Sequence, residues 1–102
     1  MDESGLDRAW RALQTVMDPE IGLNIVDLGL VYNLEVGPAA ITTRMTMTSP
    51  ACPFGQSLAD QAQAALRAAF PEVRAISVTL VHDPPWRPEM MSTEGKRFLG
   101  LR

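Results

Sequence analysis

The chain has 102 residues, of which 46% are hydrophobic, and its formal net charge is −3. This length indicates one domain, residues 1–102, and the composition argues against intrinsic disorder, which requires low hydrophobicity and high net charge. The nine lysines and arginines form no basic cluster, so the sequence lacks a nucleic-acid-binding footprint. The single cysteine excludes an internal disulfide. No apolar run reaches the roughly 18 residues of a membrane span, and the acidic first residues lack a signal region, so we expect a cytoplasmic protein.

The first periodic segment predicts a helix near the start of the chain. Apolar side chains recur there at helical spacing: Leu6, Trp10, Leu13 and Met17. Ser4 is a candidate N-cap. We expect Pro19 to stop this helix, because the residue before a proline is disfavoured in the α region.

An antiparallel hairpin is predicted next. Residues 30–36 and 41–48 each alternate between apolar and polar side chains, with Gly37-Pro38 as the turn between them. On the second strand, Thr42, Arg44, Thr46 and Thr48 form the predicted solvent face. The hairpin therefore has one covered face and one wet face.

The rest of the chain predicts a helix, a third strand and a final helix. The second helix runs from about residue 55 to 69, and residues 76–80 alternate again as the third strand. Because a helix separates strands two and three, we expect them to be parallel. Ser92 is the expected cap of a last helix that ends near Gly100. The order α-β-β-α-β-α predicts an α/β (α+β) two-layer sandwich, with helices on one face of a small mixed sheet.

Cys52 is the first candidate for chemistry. It lies between Pro50 and Pro53, directly before the second helix. Backbone N–H groups at a helix N-terminus stabilise a thiolate, so we expect a reactive thiol with a lowered pKa. The alternative is a small buried side chain, since free cysteines are often buried.

His82 and the acidic loops supply further candidates. His82 shares the parity of the third strand's apolar residues, so we expect it to point inward, near Cys52 at the end of the parallel strands. Asp18 suits a turn. Asp27 stands between apolar residues, where a carboxylate is either well hydrogen-bonded or functional. Trp86, in a stiff proline-rich segment, is a candidate either for docking a partner or for closing the core.

Four segments together resemble a known family. They are residues 17–21 (MDPEI), 24–32 (NIVDLGLVY), 45–53 (MTMTSPACP) and 83–92 (DPPWRPEMMS). This combination closely resembles the metal–sulfur cluster assembly factors, which include SufT-like and PaaD-like proteins and were long catalogued as a domain of unknown function. PaaD-like members carry additional C-terminal cysteines, which this chain lacks up to Arg102.

The resemblance implies a role in maturing iron–sulfur proteins, with Cys52 as the reactive position and with importance for Asp27 and for the loop of Asp18 and Glu20. We expect Thr48 and His82 to support Cys52 as well. One cysteine does not supply the four thiolates of a stable cluster site. The expected cofactor is therefore at most a labile iron–sulfur cluster, shared across a homodimer, with an external thiol, or with a scaffold or client apoprotein. No recognised catalytic motif is present. The alternative function is a thiol-dependent enzyme that uses Cys52 with His82 or Asp27.

Overall fold

The computed structural model describes residues 5–48 and 53–100. Its elements follow in chain order: α1 Gly5–Leu13, β1 Val31–Val36, β2 Ala40–Met45, α2 Gly55–Ala69, β3 Ala75–Leu80, a 3-10 helix Pro88–Met90, and α3 Thr93–Phe98. This order confirms the predicted α-β-β-α-β-α arrangement. The predicted cap Ser4 and the loop residues 49–52 lie outside the described ranges. Within those ranges, no helix combines the length and apolar character needed to cross a bilayer.

The three strands form one mixed sheet in the order β1-β2-β3. β1 and β2 are antiparallel, with a register shift between Val31 and Asn33, and β2 and β3 are parallel. On β2 the side chains of Ile41, Thr43 and Met45 are buried, while those of Thr42 and Arg44 are exposed. α1 packs against β1, α2 packs against β3, and the two helices contact each other. The helices therefore cover one face of the sheet, as predicted.

Thr46 departs from the predicted wet face. It is only 1% exposed, since β2 ends at Met45 and Thr46 lies beyond the strand, where it lines a small cavity together with Pro85 and Trp86. The alternation of side chains predicts burial only as far as the strand continues. The buried side has its own irregularity, since Thr43 Oγ1 has no hydrogen-bond partner among the described residues.

α1 is shorter than the sequence predicts. It ends at Leu13 and not at Pro19, and Met17 is 47% exposed. The chain leaves the helix because its backbone pairs with the following loop: Asp18 N donates to Leu23 O at 3.0 Å, and Ile25 N donates to Val16 O at 3.0 Å. These contacts compete with the helix, and helical spacing alone did not reveal them.

The last helix packs very closely on the loop before β1. Ser92 caps α3 as predicted, and its Oγ accepts a hydrogen bond from Gly95 N at 3.0 Å. A Cβ atom at Gly95 would lie 2.6 Å from Asp27 O. Glycine is a poor helix former, but here it permits the helix to approach the Asp27 backbone.

Candidate functional site

The site is built around two segments that are distant in sequence. We call residues 24–30 the acidic loop and residues 82–92 the C-terminal segment. Trp86 Nε1 donates to Leu28 O at 2.6 Å, and Ser92 N donates to Asp27 O at 2.9 Å. Tyr32, just after the acidic loop, donates its hydroxyl hydrogen to Pro84 O at 2.8 Å. The C-terminal segment is thus bonded to Tyr32 near its start, to the acidic loop through Trp86, and to the same loop again at Ser92.

Gly29 sets the distance between these two segments. Its φ is +78°, a left-handed conformation that residues with a Cβ rarely adopt. A Cβ atom at this position would lie 2.3 Å from Met90 O. The absence of a side chain therefore allows both the turn of the acidic loop and the close approach of the C-terminal segment.

Both carboxylate oxygens of Asp27 are hydrogen-bonded. Oδ1 accepts from Ser92 Oγ at 2.8 Å, and Oδ2 accepts from Asn24 Nδ2 at 2.7 Å. Asp27 N in turn donates to Asn24 Oδ1 at 2.9 Å. The half-buried carboxylate therefore links the acidic loop to the cap of α3. Of the two sequence alternatives for Asp27, the hydrogen-bonded one is observed, and a further functional role stays a prediction.

Asp18 has the turn role that its residue type favours. Its side chain is 2% exposed, and Oδ1 accepts hydrogen bonds from Glu20 N at 2.8 Å and Ile21 N at 3.2 Å. Glu20 itself is exposed. Asp18 thus stabilises the turn that follows α1. Across residues 5–48 and 53–100, no three His, Cys, Asp or Glu side chains are grouped so as to hold a metal ion.

Thr48, His82 and Trp86 come together around one small cavity. Its volume is about 60 Å³, and its other lining residues are Thr46, Met47 and Pro85. The prediction that His82 points inward is wrong. β3 ends at Leu80 and His82 is exposed, so the parity of the strand no longer applies two residues beyond its end. Its placement beside Thr48 comes from the C-terminal segment, which turns back over the end of β2.

Cys52 lies outside the described residues, so its predicted exposure and reactivity are not tested. The described residues on either side of it lie at the small cavity and at the start of α2. Thr48 lines the cavity, and α2 begins at Gly55, where a Cβ atom would lie 3.1 Å from Leu80 Cδ2 and 3.2 Å from Met47 Cγ. The start of α2 therefore packs against the carboxyl ends of β2 and β3. Its N-cap residue, Phe54, makes no side-chain capping hydrogen bond.

Two features of the site were missed from the sequence. Asn24 was not identified as a partner of Asp27, although an Asn three residues before an Asp in a loop suggests mutual side-chain to backbone bonding. A second, open groove of about 480 Å³ was also missed, because distant segments form it: Trp10, Val26, Gly29, Val31, Tyr32, Pro84 and Met90 line it. Trp86 contacts the core and bonds to Leu28, so it has the closing role, and its role in docking stays a prediction.

Comparison with known proteins agrees with this fold and shows the family. Residues 6–79 match the family model described as "Iron-sulfur cluster assembly protein". The chain is 44% identical over 87 residues to the Fe-S protein maturation auxiliary factor SufT of Staphylococcus aureus, covering 84% of this chain and 98% of that protein. It is 39% identical to the maturation auxiliary factor YitW of Bacillus subtilis over the full length of both.

The fold has a solved counterpart. The crystal structure of a domain of unknown function from Bacillus anthracis superposes with a TM-score of 0.86 at 38% identity, covering 93% of this chain and 91% of that one. The resemblance noted from the four sequence segments is therefore confirmed across nearly the whole chain. The chain belongs to the iron–sulfur cluster assembly protein family.

Proposed function

We propose that this protein is an accessory factor that assembles or transfers iron–sulfur clusters for client apoproteins, with the Cys52 thiolate as its reactive group. The observation that supports this most is the position of the described residues that flank Cys52 in the sequence. On one side Thr48 lies on the small cavity, and on the other the start of α2 packs against the ends of β2 and β3. Family membership supports the same function, as do the names of the two maturation factors to which the chain is similar.

The chemistry of the described flanks favours a thiolate at this place. α2 is a helix of 15 residues whose first turn contains no acidic side chain and whose N-cap lacks a side-chain hydrogen bond. Its first N–H groups are thus not bonded to the side chain of its N-cap residue Phe54, and such groups favour negative charge nearby. A deprotonated sulfur is the form that binds iron.

The number of soft ligands indicates a labile cargo. The chain has one cysteine and one histidine, whereas a stable cluster takes about four thiolates or equivalent ligands. We propose that the cluster is bound briefly and shared with a client, a scaffold or a second copy. Because thiolate and neutral imidazole are the ligand forms, binding weakens as the pH falls.

We propose that the protein does not catalyse a reaction of its own. The alternative, a thiol enzyme with Asp27 or His82 as its base, is less well supported by the geometry. Both oxygens of Asp27 already accept hydrogen bonds from Ser92 and Asn24, and a base must be free to take a proton. His82 is exposed and has no carboxylate hydrogen-bonded to it within the described ranges, so nothing there orients its ring.

Anaerobic reconstitution with iron and sulfide tests the proposal. The wild type is expected to develop visible absorbance that is lost in Cys52→Ala. Thr42→Ala, on the exposed face of the central strand, is the matched control and keeps the absorbance. Equal absorbance in wild type and Cys52→Ala would remove Cys52 from the proposal.

A further inference from the structure

The small cavity contains a buried hydroxyl without a partner. Thr46 is 1% exposed and lines this cavity, and no described residue is hydrogen-bonded to its side chain. Its backbone N–H already donates to Leu30 O at 2.8 Å, so only the side chain lacks a partner. A buried polar group without a hydrogen bond is unfavourable, and native proteins satisfy nearly all such groups with protein atoms or with a bound molecule. The partner of this hydroxyl is therefore expected in the cavity.

A second buried threonine, Thr43 on β2, shows what distinguishes the Thr46 hydroxyl. Thr43 Oγ1 also lacks a partner among the described residues, but it is completely enclosed. Thr46 Oγ1 is not completely enclosed, so the small accessible part of Thr46 includes its hydroxyl. The Thr43 hydroxyl is thus shut inside the core, whereas the Thr46 hydroxyl opens on a space that a ligand can enter.

The size of the cavity limits the ligand to one or two atoms heavier than hydrogen. The volume is about 60 Å³, and a water molecule takes about 30 Å³ in the liquid. An iron–sulfur cluster, an amino acid or a nucleotide is therefore too large. Thr48 and His82 also line the cavity, and each adds a polar group to that of Thr46. A hydroxyl donates one hydrogen, and the imidazole ring carries an N–H in both its neutral and its protonated form.

The rest of the cavity wall is mostly apolar. Pro85 and the ring of Trp86 form part of it, and the indole N–H of Trp86 is not available to a ligand because it donates to Leu28 O. A strongly hydrated anion such as phosphate needs more donors than this wall supplies, since an ion loses its hydration when it enters an apolar space. A single sulfur atom is polarisable, and it gains dispersion contacts with an aromatic ring.

We infer that this cavity binds inorganic sulfide as the hydrosulfide anion. The inference rests on the proposed function, because cluster assembly consumes sulfide as well as iron. Hydrosulfide contains one atom heavier than hydrogen and accepts hydrogen bonds from hydroxyl and imidazole groups. Thr46 is the buried donor to its sulfur, and the half-buried Thr48 and the exposed His82 bind it from the solvent side. The cavity thus holds one sulfide ion ready for assembly.

Sulfide titration followed by NMR tests this site without using cluster transfer. Sodium hydrosulfide is added anaerobically to metal-free wild type and to Cys52→Ser, in which no thiol can react. We expect saturable shifts of the Thr46 methyl and the Trp86 indole signals in both proteins. Sodium chloride, whose anion is of similar size, should cause no such shifts. The absence of saturable shifts with hydrosulfide would mean that the cavity holds water only, and equal shifts with chloride would mean a general anion site. Either result overturns the proposal.

Thr46→Val removes the hydroxyl and keeps the shape of the side chain. Because this hydroxyl has no partner among the described residues, the melting temperature should not fall. We expect the dissociation constant for hydrosulfide to rise at least about fivefold, as for one lost hydrogen bond. Thr43→Val, which removes the enclosed hydroxyl, is the matched control and should bind like wild type. Wild-type affinity in Thr46→Val overturns the proposal, and the wild-type titration decides it even if this variant does not fold.

Sulfide binding and the role of Cys52 can fail separately. Saturable sulfide binding, together with wild-type cluster transfer to apo-ferredoxin by Cys52→Ser, supports the sulfide site and contradicts the role of Cys52. Loss of transfer in Cys52→Ser, with no sulfide binding by either protein, supports the role of Cys52 and overturns the sulfide site.

Discussion

The acidic loop and the small cavity lie on either side of Trp86, but they are held very differently. On one side, Asp27, Asn24 and Ser92 form a closed set of hydrogen bonds, and glycine permits backbone contact at position 29. On the other side, Thr48 and His82 line open space, and neither side chain is hydrogen-bonded to another described residue. Trp86 belongs to both regions, since its indole N–H bonds to the loop and its ring lines the cavity.

This difference separates residues that maintain the structure from residues that are available for chemistry. A buried polar group that is fully hydrogen-bonded contributes to stability and is costly to change. Removing a side chain that faces a cavity without hydrogen-bond partners costs little stability, so we expect such a substitution to affect function instead. Substitutions in the acidic loop should therefore lower the free energy of unfolding, whereas substitutions at the cavity should lower the rate of cluster transfer.

The largest effect is expected for Gly29→Ala. The left-handed backbone and the overlap with Met90 O together predict a loss of about 3 kcal/mol in the free energy of unfolding. Gly22→Ala is a matched control, because Gly22 has the same φ of +78° but a Cβ atom there would have nothing within 4 Å. It should lose only about 1 kcal/mol. Urea unfolding measures both, and equal losses would show that the Met90 contact does not clamp the segment.

Asp27→Asn tests whether the carboxylate serves more than stability. The amide places an N–H₂ group against either Ser92 Oγ or Asn24 Nδ2, so we expect a loss of about 1.5 kcal/mol. Ser92→Ala, which removes one of the same bonds and the α3 cap, is the comparison variant. If Asp27→Asn transfers clusters less well than Ser92→Ala at equal folded fraction, the charge has a further role. Equal transfer would confine Asp27 to the structure.

Trp86→Phe addresses the residue that the two regions share. Losing the N–H bond to Leu28 O is expected to cost about 1 kcal/mol while the ring still closes the cavity. Trp86→Ala removes both, and we predict that it weakens client association more than it lowers the melting temperature. Pull-down yield and melting temperature are measured on the same samples. Normal binding by the folded fraction of a strongly destabilised Trp86→Ala would mean that Trp86 serves the core alone.

His82→Ala should have the smallest effect on stability. The side chain is exposed, so the free energy of unfolding is expected to change by no more than about 0.5 kcal/mol. Cluster transfer is expected to fall, since His82 lines the same cavity as Thr48, which precedes Cys52 closely in the sequence. Thr42→Ala again provides a neutral surface control. A variant with normal transfer would place His82 outside the site.

The elements that periodicity determines were predictable from the sequence. The strands, their parallel and antiparallel pairing, α2 at Gly55–Ala69 and the Ser92 cap all follow from spacing and cap chemistry. The early end of α1, the buried Thr46 and the exposed His82 do not. Each of these depends on a contact with a segment remote in sequence or on where a strand stops, and local pattern contains neither.

The candidate site was predicted as a set of residues but not as an arrangement. Thr48, His82 and Trp86 do meet at one cavity, whereas Asp27 belongs to a separate set of hydrogen bonds with Asn24 and Ser92. The separation of these two groups of residues depends on Gly29 and Gly95. The backbones of these glycines closely approach Met90 and Asp27, and so bring together segments that are more than 60 residues apart in the sequence. Such contacts become visible only when the packed chain is known.

Cluster transfer to apo-ferredoxin decides whether Cys52 is the reactive group of this protein. Wild type, Cys52→Ser and Thr42→Ala are each supplied anaerobically with iron and sulfide, and the cluster absorbance of the separated ferredoxin is followed over time. We expect rapid transfer by wild type and Thr42→Ala. Cys52→Ser is expected not to exceed the rate with no added protein. Wild-type transfer by folded Cys52→Ser would contradict the proposed role of the thiolate.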